Sequence, residues 1–294
     1  MAQFVINEEF LQQIELLQTL IKNNIAGLFG GNHQTRTYGS SCEFADYRDY
    51  LPGDDVTKID WNAYARFDKL YLKLFLDERQ MHTRIYIDGS RSMEFGDKKK
   101  AEQALKTAAA LAYLSVCQMD KVSIYVIKDK AVHELIGGMV GKEAYIASIN
   151  RLNEVQFDGD SYISDAILPS KVGYGDGISV LISDFLTDND YERAIDLWSD
   201  KKRDVFCVQI LSKEEMDPVI RGKVHFFDSE NSGKFYRKNI DREIARAYKR
   251  ALEWSIDRIK NYCAARGATY LLVEAEESLS RVFLEKLVTM GVLK

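Results

Sequence analysis

Three oxygen-bearing side chains alternate in the stretch RIYIDGSRSM, residues 84–93: Asp88, Ser90 and Ser92. A carboxylate and two hydroxyls at this spacing can converge on one point within a tight loop. All are hard donors, which suit Mg2+ (or Mn2+) better than a thiophilic metal. A second aspartate, Asp184, follows the apolar run SVLIS at 179–183. With so few formal charges from the protein, an ion held there stays electrophilic and seeks a carboxylate from elsewhere, which is a way to grip a partner. The rival chemistry is a Mg2+-dependent phosphohydrolase with Asp88 as nucleophile, since an aspartate ending a strand can also attack phosphorus. Acid/base work beside such a nucleophile calls for a second carboxylate, and this loop could offer one two residues on. Position 90 is serine.

Other motifs fail on chemistry. GGMVGKE at 137–143 contains Gly-Lys, but Glu143 stands where a phosphate loop needs Ser or Thr, and the stretch reads as a loop leading into a helix. His33, His82, His133 and His225 lie near no nucleophile and show no H-x-x-x-H spacing, which leaves a triad or a zinc hydrolase without support. Cys42, Cys117, Cys207 and Cys263 are far apart and form no C-x-x-C pair, so they read as scattered reduced thiols.

The elements that must position Asp88 and Asp184 follow from periodicity. Strand patterns at 83–88, 121–127, 178–183, 204–211 and 268–273 alternate with helix patterns at 98–118, 142–152, 189–199, 241–265 and 277–289. That alternation predicts an α/β sandwich with a mostly parallel sheet. RIYI, SIYVI, SVLI and VFCVQI are apolar on both faces, as strands covered by helices on both sides must be. In such a sheet ligands bind at the carboxyl ends of the strands, near a switch in strand order, and both aspartates fall at strand ends. Upstream, Phe10, Ile14, Leu17 and Ile21 at helical spacing behind Asn7 predict an amphipathic helix over 8–24. A Gly-rich stretch ends it, and residues to about 79 turn polar and aromatic around Pro52-Gly53-Asp54-Asp55. The expected division is therefore 1–79, a helix plus a β-rich segment, and 80–294, the α/β domain.

A chain of 294 residues with 46% hydrophobic content builds a real core, and a net charge of −5 offers no field for nucleic acid. MAQFVINEEFLQQ has acidic residues where an export signal needs basic ones, and the longest apolar stretch, 108–119, is too short to span a bilayer, which takes about 20 residues. A cytoplasmic protein without membrane insertion is expected.

Two resemblances sharpen these readings. YIDGSRSM resembles the first segment of the metal-ion-dependent adhesion site (MIDAS) of von Willebrand factor A domains, and VLISDF resembles the segment that supplies its later aspartate. Such domains add a threonine from an intervening loop, where relatives usually read Gly-Gly-Thr-Asp. The corresponding stretch here is FDGDSYISDAI, 157–167, with Ser161 in the threonine place and Tyr162 where an aspartate is common. Ser161 and Ser164 both stay open as the third hydroxyl, and the departure motivates a further alternative, a metal-free scaffold. The segment 43–79, EFADYRDYLPGDDVTKIDWNAYARFDKLYLKLFLDER, closely resembles the signature of the bacterial domain-of-unknown-function-58 family. Its members join such a segment to a von Willebrand factor A-like domain, and the resemblance extends to the tail YLLVEAEESLSRVFLEKL.

The resemblance implies a Rossmann-like von Willebrand factor A-type sandwich and a non-catalytic, Mg2+-dependent protein-binding module. Its ion would be held by Ser90, Ser92 and Ser161, with Asp88 and Asp184 directly or through water. An acidic side chain of the partner, a MoxR-type AAA+ ATPase or its client, would complete the shell. Within 43–79, Arg48, Asp54, Asp55, Asp60 and Arg66 lie among Tyr47, Tyr50, Trp61 and Tyr64. This set suits either an internal ion-pair network or a docking surface rich in aromatics and arginine.

Overall fold

A computed structural model of the chain describes residues 5–21, 34–38, 44–78, 81–95, 99–170, 177–186, 190–218, 222–227, 235–240 and 242–289. They group into two compact units, one drawn from 1–31 and 81–294, the other from 32–80.

In the larger unit the chain runs α1 (Glu8–Ile21), β4 (His82–Asp88), α3 (Lys99–Cys117), β5 (Lys121–Lys128), β6 (Ala131–Met139), α4 (Gly141–Ser148), α5 (Ile163–Ile167), β7 (Ile178–Ser183), α6 (Glu192–Asp200), β8 (Asp204–Leu211), α7 (Lys213–Met216), the hairpin β9 (Gly222–Phe227) and β10 (Phe235–Ile240), α8 (Arg242–Ala265) and β11 (Thr269–Glu274), and ends in a π-helical turn, Arg281–Leu287. The smaller unit holds β1 (Gln34–Tyr38), β2 (Phe44–Asp49), α2 (Trp61–Phe67) and β3 (Tyr71–Glu78), its antiparallel sheet ordered β1-β3-β2.

Among the described residues the larger unit is built on a six-stranded sheet of order β11-β8-β7-β4-β5-β6. All its pairings are parallel except β5 with β6. The chain leaves β4 toward β5 on one side and resumes at β7 on the other, so the switch in strand order lies between β4 and β7. The expected α/β sandwich is what the chain forms. The additions are the short helices α5 and α7, the edge strand β6, which takes in Gly137 to Met139 of the GGMVGKE stretch, and the β9–β10 hairpin.

Strand alternation divides the core into two layers. Ile85, Ile87, Val180, Ile182, Phe206 and Val208 face one side and pack with α3, α4 and α1. Tyr86, Leu181, Val205 and Cys207 face the other and pack with α5, α6 and α8. The first layer explains why α1 groups with the α/β unit, although the sequence division at 79/80 placed it with the β-rich segment. Ile6, Phe10, Ile14 and Leu17 are buried in the core shared with α3, where an apolar helix face finds cover. The expected N-cap is present: Asn7 Oδ1 accepts the Phe10 N–H at 2.9 Å. Among the cysteines, Cys207 and Cys263 are not scattered but buried side by side, with a thiol–thiol hydrogen bond that pushes the Cys207 thiol up. Cys42 lies outside the described residues.

His82, at the start of β4, faces Ser123 Oγ at 2.9 Å. Burial, followed by the nearby Arg84, Lys121 and Arg203 charges, lowers it from 6.5 to about 4. The folded state therefore binds this proton less readily than the unfolded chain. Its contribution is present above the unfolded value of 6.5 and is lost as pH falls toward about 4. Chemical denaturation of the wild type and of His82→Gln across that window is expected to show a steeper loss of stability in the wild type.

Candidate metal centre

The site is assembled at the carboxyl ends of β4 and β7, on either side of the switch point, where open α/β sheets bind ligands. The β4–β7 register pairs Ile87 with Ile182, which sets Asp88 beside Ser183 and brings Asp184 out one residue later. Ser183 Oγ donates to Asp88 Oδ2 at 2.6 Å, and the Ser90 N–H donates to Asp88 Oδ1 at 3.0 Å. Ser90 Oγ lies 2.9 Å from Ser92 Oγ. Asp88, Ser90, Ser161 and Asp184 are all buried.

The loop after β4 is held down by a close backbone approach. Gly89 donates its N–H to the Ile127 carbonyl at 2.9 Å, and a Cβ at this position would meet that oxygen at 2.8 Å. Only glycine fits without moving β5. The 157–162 loop is stitched to the same edge: Arg91 N–H bonds the Gly159 carbonyl at 2.8 Å, and a parallel bridge joins Ser161 to Asp129 at the end of β5. The two open hydroxyls have different surroundings. Ser164 Oγ accepts the Ala194 N–H at 3.1 Å and so ties α5 to α6, while Ser161 sits in the loop stitched to the Ser90 strand end. Tyr162 lies beneath the Lys130 ammonium, 5.1 Å from ring centroid to Nζ.

Asp184 is held differently from Asp88. Its Oδ1 accepts the Leu186 N–H at 3.0 Å, and Gln209 Nε2 donates to its carbonyl at 2.7 Å. Phe185, the next residue, has φ 53, a left-handed conformation that a bulky residue adopts only when its surroundings enforce it. Burial against Tyr191, with ring centroids 5.2 Å apart, provides that enforcement. Asp184 Oδ2 accepts from Lys100 Nζ at 2.9 Å, and the same ammonium reaches Glu215 Oε1 at 2.6 Å.

Lys100 and Glu215 were not among the residues singled out in the sequence. Lys100 closes the polar run Lys98-Lys99-Lys100, which looks like a solvated helix start. The signal was present in its spacing: it precedes Ala104, Ala108 and Leu111 on the buried stripe of α3, and it is fully buried itself. Burial alone would pull its ammonium down. The Asp184 and Glu215 carboxylates outweigh that and hold it above the usual lysine value. Glu215 completes a capping box, its Oε2 accepting the Ser212 N–H at 2.8 Å.

The electrostatics leave Asp88 as the exposed problem of the site. Burial, then the neighbouring Asp184 charge, push it above the usual carboxylate range. Its partners are neutral donors, and among the described residues it has no cationic one. A buried carboxylate beside a second one, flanked by Ser90 and Ser92 hydroxyls, fits a small hard divalent cation. No cluster of three or more His, Cys, Asp and Glu able to hold a metal is found among the described residues.

In the smaller unit the acidic residues are engaged locally. Arg48 Nη2 bonds Asp54 Oδ1 at 2.7 Å, and Asp55 caps the turn Val56–Lys58. Asp60 caps α2 through the Asn62 and Ala63 N–H groups and pairs with Lys73 at 3.2 Å. The Tyr47 hydroxyl, 2.8 Å away, is the main cause that holds Asp60 down at about 2. Trp61, Tyr64 and Phe67 are exposed around this network, as is Arg66, and a recess of about 480 Å³ opens between Tyr47, Asp60, Arg66 and Phe67. Arg48, Asp54, Asp55 and Asp60 thus have local partners, while Trp61, Tyr64, Arg66 and Phe67 face outward.

A family model described as "Protein of unknown function DUF58" matches residues 46–255. The chain belongs to this family. The DUF58 match runs from the β2 strand through the candidate site and into α8. The uncharacterized protein Rv1480 of Mycobacterium tuberculosis is 24% identical over 245 residues, covering 81% of this chain and 76% of that protein, and the uncharacterized protein Mb1516 of Mycobacterium bovis gives the same figures. Among solved structures, the DUF58 chain is similar to an aerotolerance-related membrane protein from Bacteroides fragilis (TM-score 0.40, 14% identity, 72% of this chain and 98% of that one). It is also similar to the VWA domain of SpRpn10 (TM-score 0.40, 10% identity, 71% and 95%). The DUF58 chain has the α/β sandwich expected from its sequence, a mostly parallel sheet covered by helices on both faces. Among the described residues no helix is long and apolar enough to cross a membrane.

Proposed function

We propose that this DUF58 chain is a non-enzymatic, Mg2+-dependent protein-binding module of the cytoplasm, an accessory partner of a MoxR-type AAA+ ATPase in assembling or remodelling other proteins. The observation that carries the reading is Asp88: a buried carboxylate at the switch point, hydrogen-bonded among the described residues only by neutral groups and flanked by the Ser90 and Ser92 hydroxyls. Asp88, Ser90, Ser92, Ser161 and Asp184 would hold the ion (Mn2+ in place of Mg2+ on the same donors). When bound, the ion supplies an electrophilic position for an acidic side chain of the ATPase or its client. The chain's own residues orient the donors: Gly89 and Ser183 fix Asp88, and the 157–162 loop brings Ser161 to the same edge. The serine at position 90, with its hydroxyl turned to Ser92, supports binding over catalysis, because haloacid-dehalogenase-type phosphatases, which place an aspartate nucleophile in this way, carry a second carboxylate two residues on.

The test is calorimetric titration of the full chain with MgCl2 and MnCl2, together with capture of a purified MoxR-type ATPase from the same bacterium with and without EDTA. Binding of the ion that is lost in Asp88→Ala, and capture that EDTA abolishes, are expected. Absence of ion binding together with EDTA-insensitive capture overturns the reading.

A further inference from the structure

We propose that Lys100 is a built-in counter-ion of the site, one that competes with a divalent cation for Asp184. The inference rests on the metal-site reading above and extends it to the groups that set the site's affinity. Asp184 has two carboxylate oxygens, and both are engaged: Oδ1 by the Leu186 N–H at 3.0 Å and Oδ2 by the Lys100 ammonium at 2.9 Å. Asp88, Asp184 and Glu215 are all buried, and Lys100 is the ammonium that reaches two of them. A cation drawn in by Asp88 and the serine hydroxyls meets an Asp184 already neutralised. To use that carboxylate it must share an oxygen with a second positive centre, and the two repel.

The structure also provides the place to which Lys100 yields. Glu215 sits 2.6 Å from the ammonium, its other oxygen fixed by the Ser212 N–H within a capping box, so it is held in position to keep Lys100 when Asp184 lets go. The contact spans elements far apart in sequence: Lys100 is on α3, Asp184 follows β7, and Glu215 is on α7. Ion occupancy at Asp184 is thereby coupled to the end of β8 and to α7. The design lowers the intrinsic affinity of the site, so that an ion is held firmly only when a further negative charge, such as a partner's carboxylate, completes the balance.

The experiment is calorimetric titration of the full chain with MgCl2, comparing wild type with Lys100→Met, each with and without Asp184→Asn. Lys100→Met is expected to tighten Mg2+ binding by about tenfold or more, within the usual range of coupling between two sites. Asp184→Asn is expected to weaken binding by about tenfold in the Lys100→Met background but by less than about threefold in the wild type, the non-additivity expected of two groups in contact. Equal or weaker binding in Lys100→Met, with the wild type still binding, overturns the role of Lys100 and leaves the metal site standing. No binding in either background overturns both. Should Lys100→Met fail to fold, the pair Glu215→Gln and Lys100→Met/Glu215→Gln poses the same question with one fewer buried charge, and tighter binding is expected in the double variant.

Discussion

Lys100→Met is expected to cost the α/β unit about 3–5 kcal/mol of stability, the range found when one partner of a buried ion pair is removed. Methionine fills the volume of the lysine stem, so packing alone predicts a mild effect. The loss comes from what remains: Asp184 Oδ2 and Glu215 Oε1, 2.9 and 2.6 Å from the ammonium, would stay buried without a counter-charge. Desolvation of those two carboxylates is offset in the native chain by one ammonium held between them. Lys100→Met/Glu215→Gln is therefore expected to be more stable than Lys100→Met alone, since it removes one of the two orphaned charges. Urea denaturation of the three proteins at pH 7 measures this. A double variant no more stable than the single one would show that the lysine stem, rather than its charge, matters to the fold. Saturating Mg2+ is expected to raise the stability of Lys100→Met more than that of the wild type, through linkage to the tighter binding inferred above.

Trp198→Ala is expected to cost a similar amount, about 3–5 kcal/mol, by leaving a large cavity in the second core layer. Trp198 lies on α6, fully buried, with its ring 5.0 Å from Tyr86 on β4. Tyr86 in turn stacks on Tyr125 of β5 at 5.1 Å, so one indole anchors a row of aromatics across the face of the sheet. Backbone strands close to this row cannot collapse into the void, because they are fixed in register to one another. Trp198→Phe is the informative companion. The indole Nε1 is buried without a hydrogen-bond partner among the described residues, so phenylalanine removes an unsatisfied donor while keeping much of the ring. It is expected to lose clearly less stability than alanine in the same denaturation experiment. Asp88 extends from the strand that carries Tyr86, so loosening in Trp198→Ala is also expected to weaken Mg2+ binding at a distance from the site.

The sequence by itself determined the strands and most of the helices of the α/β unit, because buried parallel strands must be apolar on both faces and the covering helices must be amphipathic or buried. RIYI, SVLI and VFCVQI announced themselves in this way, and so did the placement of Asp88 and Asp184 at strand ends. The capping box at Ser212 and Glu215 was not read from the sequence, although its bonds close within one turn. Tertiary structure alone decided which charges meet. Lys100 is separated from Asp184 by 84 residues and from Glu215 by 115, so no local spacing could pair them. Only the strand order, with β4 and β7 adjacent and α3 packed over their ends, brings the ammonium between the two carboxylates. The surroundings of Ser161 and Ser164 were of the same kind. Both are hydroxyls on one short stretch, and it took the packing of α5 against α6 to engage Ser164 with the Ala194 N–H. Local pattern fixes where a polar group emerges, because backbone periodicity is short-ranged. Its partner is set by the fold, because burial makes an unpaired charge too costly to leave where no opposite charge arrives.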